Sequence, residues 1–318
     1  MNHDSLFHTY DNNTFCIEAG YMRPGLASFY LAGGDNEYAV IETGTSKSLD
    51  RLLRVIQILG IQEAQIRYIV PTHVHLDHAG GAGAMMAAFP NAQLLIHPKG
   101  ARHMIDPSRL IASSVEVYGQ EEFDTHYGEV VPVPEHRVIS VEDGQSFDIG
   151  SRSLHFRHTP GHAEHHFCIW DEMNNAWFTG DTYGVSYQWL RFGGGDFLIP
   201  AATPTQFDPD SYLQSLELLR SYRPQRLYLT HFGELRFRQA THQLLIDQLQ
   251  AYCEIAHRCG PDITLIADAL KKYTLTLIDT LELQTGDVDF EDRLDFDFHL
   301  NSQGLCSWLM RIARTKTK

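Results

Sequence analysis

Seven side chains of metal-binding type fall in four short stretches of this sequence. The densest is Thr72-His73-Val74-His75-Leu76-Asp77-His78-Ala79-Gly80-Gly81. The others are Thr159-Pro160-Gly161-His162, Phe178-Thr179-Gly180-Asp181-Thr182 and Leu229-Thr230-His231-Phe232-Gly233. Five imidazoles and two carboxylates suffice to hold two divalent cations side by side, with a shared water that becomes hydroxide near neutral pH. A donor set without thiolate suits zinc foremost, with iron, manganese or cobalt as alternatives. The chemistry implied is hydrolysis.

Spacing assigns roles within the set. In an extended loop His73, His75 and Asp77 point to one side, so His73 and His75 grip one ion. A turn at Asp77-His78 aims the next two donors at a second ion. Gly80-Gly81 lets the backbone pass closely and start a helix. Pro160-Gly161 makes a sharp corner that fixes His162. Asp181 has two oxygens with which to bridge two metals, and His231 completes the second ion. Asp77 also has an oxygen to spare for shuttling a proton to a leaving group.

The elements around these stretches follow one rule. Residues 27–31 and 38–41 are β-rich runs separated by the turn signal Gly33-Gly34-Asp35-Asn36. Residues 49–59 have apolar side chains at helical spacing and stop at Gly60. Residues 66–70 read as a buried strand with the first motif at its end, then a helix over 80–89 and a strand over 93–96. Strands at 154–157, 167–170, 176–179 and 226–229 and a helix at 210–222 continue the order. Every ligand stretch stands in a loop at a strand end, where α/β proteins put chemistry. Helices are expected over 239–257 and 262–281. The alternation of Val288, Phe290, Leu294, Phe296, Phe298 and Leu300 predicts a strand or extended segment over 287–300, after which Asn301 caps a last helix. The organisation expected is a catalytic domain over 1–235 and a helical extension over 236–318 packed on it.

With 43% hydrophobic residues among 318, a substantial core can form. Lys and Arg number 25 against 40 for Asp and Glu, a net charge of −15 that disfavours nucleic acid as the ligand. Cys16, Cys168, Cys253, Cys259 and Cys306 form no close pair, which suggests free thiols in a reducing compartment. The N-terminal residues lack a signal-peptide pattern, and no run of 18 apolar residues occurs. A cytoplasmic protein acting on a small molecule is expected, without membrane contact and compatible with a homo-oligomer.

The four stretches, taken together and in this order, resemble the metallo-β-lactamase superfamily over about residues 27–233. The resemblance implies an α/β fold, a four-layer αββα sandwich with metals at one edge of its two sheets. It implies that His73, His75 and His162 bind one ion, that Asp77, His78 and His231 bind the other, and that Asp181 lies between them. Branches of the family differ at particular positions. Zinc β-lactamases place a cysteine where this chain has Asp181, flavodiiron reductases carry Glu where it has His75, and many relatives have Asp where it has Glu42. Persulfide dioxygenases use a mononuclear iron, and RNase Z relatives share the seven ligands but add a basic RNA-gripping arm. The resemblance therefore implies a dinuclear metallohydrolase that uses a metal-bridging hydroxide on an ester, thioester or lactone. A glyoxalase II-like thioesterase and a di-iron redox protein of the same fold are the alternatives.

Further residues carry two readings each. His165 and His166 either orient ligands or pack beneath the strand. Tyr183, Tyr187, Trp189 and Phe192 follow Asp181 and either wall a substrate pocket or belong to the core. Gly193-Gly194-Gly195 suggests a lid, and the acidic run over 287–297 suggests a solvated face.

Overall fold

The turn at Asp35-Asn36 starts the architecture. Both residues have positive φ, +44° and +67°, the conformation of a two-residue turn whose twist matches the flanking strands. The computed structural model describes residues 6–192, 195–283 and 293–316. As far as they are described, two compact units share the chain: Met1–His158, His165–Gly180 and Pro224–Leu235 form one, and Thr159–Glu164, Asp181–Arg223 and Arg236–Lys318 the other.

The first unit contains two sheets. One has seven strands in sequence order: β1 (Phe7–Tyr10), β2 (Thr14–Glu18), β3 (Ser28–Gly34), β4 (Glu37–Ile41), β5 (Ile66–Val70), β6 (Gln93–Ile96) and β7 (Val138–Ser140). Pairing is antiparallel as far as β4 and parallel from β4 to β7. The other runs β8 (Ser146–Ile149), β9 (Arg152–His158), β10 (Phe167–Asp171), β11 (Ala176–Gly180), β14 (Arg226–Leu229) and β15 (Gly233–Arg236). Here β11 and β14 are parallel, with Gly180 opposite Leu229.

Both sheets contribute to one apolar core, with Tyr30, Ile41, Val70 and Leu95 from the first and Leu154, Phe156, Phe167, Phe178 and Tyr228 from the second. Tyr30 meets Phe178 edge-on at 5.2 Å, a geometry worth about 0.5–1.5 kcal/mol beyond the area it buries. A fully buried ion pair lies within the second sheet beside this interface. Arg152 of β9 bonds Asp171 of β10 through Nε (3.1 Å) and Nη2 (2.5 Å), and it donates to Asn12 O at 2.9 Å and Gly33 O at 3.3 Å. It thus ties the β1–β2 turn and the end of β3 to the second sheet.

Helices of this unit are α1 (Leu49–Leu59), α2 (Leu76–Ala79), α3 (Ala82–Ala88), α4 (Pro98–Ile105), α5 (Ser108–Tyr118) and α6 (Gln120–His126). The helix expected over 80–89 is α3, and a separate short helix, α2, precedes it inside the ligand motif. Gly81 marks the break. A Cβ there would lie 2.6 Å from both Thr43 O and Thr45 O, so only glycine lets the two backbones meet.

The second unit holds α7 (Pro209–Ser221), α8 (Gln239–Cys259), α9 (Ile263–Thr280), α10 (Asp295–Lys316) and the small hairpin of β12 (Arg191–Phe192) and β13 (Gly195–Asp196). Asp208 and Asp262 cap α7 and α9, accepting from Ser211 N and Leu265 N. The extended segment expected over 287–300 is corrected in its described part. Residues 284–292 lie outside the described residues, and from Asp295 onward the chain is helical. The spacing of Leu294, Phe298, Leu305 and Cys306, all buried, is helical, and Phe296 at 39% exposure breaks the alternation. Asn301 consequently lies inside α10 rather than at a cap, and its Oδ1 accepts from Ala202 N at 2.5 Å. Among the described residues no helix is long and apolar enough to cross a membrane.

Candidate metal centre

Glu42 organises the site. It follows the last residue of β4, is 1% exposed and has φ of +64°, a backbone region that few non-glycine residues occupy. Its carboxylate takes four hydrogen bonds from two ligand stretches. Thr72 N donates to Oε2 at 3.1 Å. Thr72 Oγ1 at 2.6 Å, Thr230 Oγ1 at 3.0 Å and His78 Nδ1 at 3.0 Å all reach Oε1. One buried carboxylate thereby fixes loops from the ends of β5 and β14. Nothing in the spacing of the ligands pointed to it; the trace it leaves is a charged residue at the end of a strand whose inner residues are buried.

These contacts also set which nitrogen each histidine presents. His78 gives its Nδ1 proton to Glu42, and His231 gives its own to Leu26 O at 2.8 Å. Thr72 Oγ1 spends its proton on Glu42 and so accepts from His73 Nδ1 at 3.1 Å. In each neutral ring the lone pair is then on Nε2, the arrangement seen when a second partner orients a metal-bound imidazole. His73 Nε2 and His75 Nδ1 converge to 2.8 Å. Asp77 Oδ2 stands 3.6 Å from His78 Nε2 and 3.3 Å from His231 Nε2. Donors bound at about 2.0–2.2 Å in a tetrahedron are themselves about 3.3–3.6 Å apart, so Asp77, His78 and His231 fit one divalent cation. Their ligand atoms all lie within 4.8 Å of one another.

His165 and His166 pack on these ligands. The His165 ring stacks over His73 at 6.1 Å and meets His75 edge-on at 5.7 Å, while the His166 ring lies 4.8 Å from His73.

In the second unit His162 and Asp181 are brought together. His162 Nδ1 donates to Ala201 O at 2.8 Å, and its Nε2 is 3.4 Å from Asp181 Oδ2. The Pro160-Gly161 corner is held on the start of α7, where Ser215 Oγ donates to Pro160 O and Asp208 N to Gly161 O. Tyr212 OH donates to Asp181 O at 2.9 Å. Both tyrosines that follow Asp181 are buried in this unit. Tyr183 OH is 3.1 Å from His242 Nδ1, and burial pushes its phenol pKa up. Tyr187 OH donates to Asp297 Oδ1 at 2.6 Å, and its ring stacks on Trp189 at 5.3 Å. Phe192 is in β12 with its side chain outside the described residues, as are Gly193 and Gly194.

Residues 22–231 match the metallo-beta-lactamase superfamily, and the chain belongs to it. Its αββα fold is that of the superfamily. The chain is similar to a metallo-beta-lactamase fold-containing protein of Sulfurisphaera tokodaii, 26% identical over 68% of this chain and 77% of the relative. It is also similar to an atrochrysone carboxyl ACP thioesterase of Aspergillus chevalieri, 28% identical over 48% of this chain and 38% of the relative. The chain therefore spans less than two fifths of that fungal protein. Among solved structures, an archaeal metallo-beta-lactamase superfamily protein from Sulfolobus tokodaii shares the fold. Its TM-score is 0.65 and its identity 22%, over 93% of this chain and 99% of the other.

Proposed function

We propose that this protein is a metal-dependent hydrolase with two divalent cations, zinc foremost. His73, His75 and His162 would hold one cation, and Asp77, His78 and His231 the other, with Asp181 shared. The observation that carries the reading is the set of locked tautomers: Glu42, Leu26 O and Thr72 Oγ1 turn the Nε2 lone pairs of His78, His231 and His73 into ligands. Asp181 follows directly on Gly180, which is paired with Leu229 two residues before His231, and this supports a place for it in the same centre. Bound there, such cations lower the pKa of a water and polarise a scissile carbonyl.

The chain's own groups would do the rest. Glu42 keeps four donors in register without itself facing substrate. Asp77 is the ligand carboxylate with 21% of its side chain exposed, against 7% for Asp181, so it is the one placed to exchange a proton with solvent or a leaving group. Ester, thioester and lactone carbonyls all suit this chemistry, and the name of the fungal relative favours the thioester.

The test is hydrolysis of a panel of aryl esters, lactones, acyl thioesters and phosphodiesters by protein of verified metal content. Turnover of a carboxylic ester or thioester is expected, and Asp181→Ala should lose metal and activity together. A panel without turnover contradicts the reading, and so does an Asp181→Ala protein with full activity. A visible iron absorption in protein purified without added metal would favour the di-iron redox alternative instead.

A further inference from the structure

Within the second unit, α10 lies along the segment that carries the carbonyl behind His162. Residues 200–208 belong to no helix or strand, so their backbone groups find partners outside any ladder. One stripe of α10 meets them. Asn301, Gly304, Trp308 and Arg311 recur at three- and four-residue spacing and share one face of the helix. Asn301 Oδ1 accepts from Ala202 N at 2.5 Å. A Cβ at Gly304 would stand 1.9 Å from Ala202 O, so glycine is what lets the helix come this close. The Trp308 ring meets that of Phe207 edge-on at 6.4 Å. Arg311 donates to Thr205 O at 3.0 Å and to Phe207 O.

Ala201 O and Ala202 N are the two ends of a single planar peptide group. Its oxygen accepts the Nδ1 proton of His162 at 2.8 Å, and its N–H donates to Asn301. Ring, peptide and side-chain amide thus form one chain of hydrogen bonds, and His162, Ala201, Ala202 and Asn301 are all buried. Chemistry fixes which end of the Asn301 amide faces the peptide, because a backbone N–H can only donate and so meets the oxygen. A peptide that donates at nitrogen is a stronger acceptor at oxygen. Thr203 Oγ1 lies 3.5 and 3.4 Å from the two ring nitrogens of His162 and selects neither. The Ala201 carbonyl therefore decides which nitrogen keeps its proton, and Nε2 is left to face Asp181 Oδ2 at 3.4 Å.

We propose that Asn301 is a positioning residue for His162: by holding the Ala201–Ala202 peptide it aims the carbonyl that selects the Nδ1–H tautomer, and so presents Nε2 as a metal ligand. The inference rests on the metal-dependent reading of His162 and assigns part of that ligand's support to the helical region beyond residue 236. Asn301 acts only through the peptide. Without its oxygen a buried N–H loses its acceptor, the peptide plane tilts to find another, and the ring is released to turn.

The experiment is NMR of the metal-free full chain carrying 15N-labelled histidine, at mildly alkaline pH where the ring is neutral, together with zinc competition against a chromogenic chelator. In the wild type the His162 ring should show the Nδ1–H tautomer. A scalar coupling across the hydrogen bond should link the Ala202 amide nitrogen to the Asn301 side-chain carbonyl carbon. Asn301→Leu, similar in size but without an acceptor, should populate the Nε2–H tautomer. It should also weaken one of two zinc ions by about tenfold and leave the other in place. Asn301→Asp keeps an acceptor oxygen and should return both readouts toward the wild type. Ser302→Ala removes the 2.7 Å bond to His299 O from the same helix and should move neither.

An Nδ1–H tautomer that persists in Asn301→Leu overturns the inference whatever the zinc affinity. An equal change in Ser302→Ala does so too, since Asn301 would then only pack α10. Should Asn301→Leu fail to fold, the wild-type coupling and the Asn301→Asp tautomer decide: no coupling, or an altered tautomer, overturns the inference. A wild type that retains no zinc, with a tautomer that still follows the Asn301 substitutions, contradicts the metal reading and leaves the positioning of the ring standing.

Discussion

Histidines of the first unit occur in two settings. At the metal centre, His78 and His231 have Nδ1 tied to Glu42 and Leu26 O, and their Nε2 atoms face Asp77. The ends of β6 and β9 carry a second pair, buried His97 and half-buried His158, with ring centroids 4.0 Å apart. There the hydrogen bonds run to the backbone: Lys99 N donates to His97, and His158 Nε2 donates to Val141 O at 2.9 Å. Burial first, then His158, His165 and Lys99, pushes the His97 pKa down to about 3. Burial among other cations makes a histidine a neutral packing group. An acceptor behind the ring, the Glu42 carboxylate for His78 and the Leu26 carbonyl for His231, and a carboxylate in front make it a ligand.

The largest effect expected from this contrast lies at Glu42. Glu42→Gln preserves shape but replaces one acceptor oxygen with an NH2 group, so Thr72, Thr230 and His78 lose their common partner. Metal affinity should fall by about 10–100-fold, as outer-shell partners of metal ligands command, measured by competition with a chromogenic chelator. His97→Asn should leave that affinity unchanged while keeping a side chain able to cap α4. Equal losses in the two variants would erase the distinction.

A smaller effect concerns pH. Between pH 6.5 and about 3 the unfolded chain protonates His97 while the folded chain does not, so stability contributed by the neutral ring is lost on acidification through that window. The contribution to the slope is at most about 1.4 kcal/mol per pH unit. Urea midpoints of His97→Asn should therefore fall less steeply than those of the wild type from pH 6.5 downward. Parallel curves would mean that His97 is protonated in the fold.

Much of the first unit was legible because its signals are local. A turn pair with positive φ, short buried strands and ligands at strand ends need only a few neighbouring residues to be recognised. Glu42 was not legible as a hub, since its partners lie 30, 36 and 188 residues away. Leu26 O and Ala201 O, which orient His231 and His162, are backbone carbonyls and leave no mark on residue type. Arg152 and Asp171 likewise read as ordinary strand charges until pairing of β9 and β10 buries both. At the other end, Leu294 and Phe298 satisfy two periods at once. Only the burial of Leu305 and Cys306 against the exposure of Phe296 selects the helix.

Metal stoichiometry tests the central claim most directly. Protein reconstituted with zinc, freed of excess ion by gel filtration and assayed by plasma mass spectrometry should retain two ions per chain, with one lost in His231→Ala. Retention of no ion, or of a single ion unaffected by His231→Ala, would contradict the account.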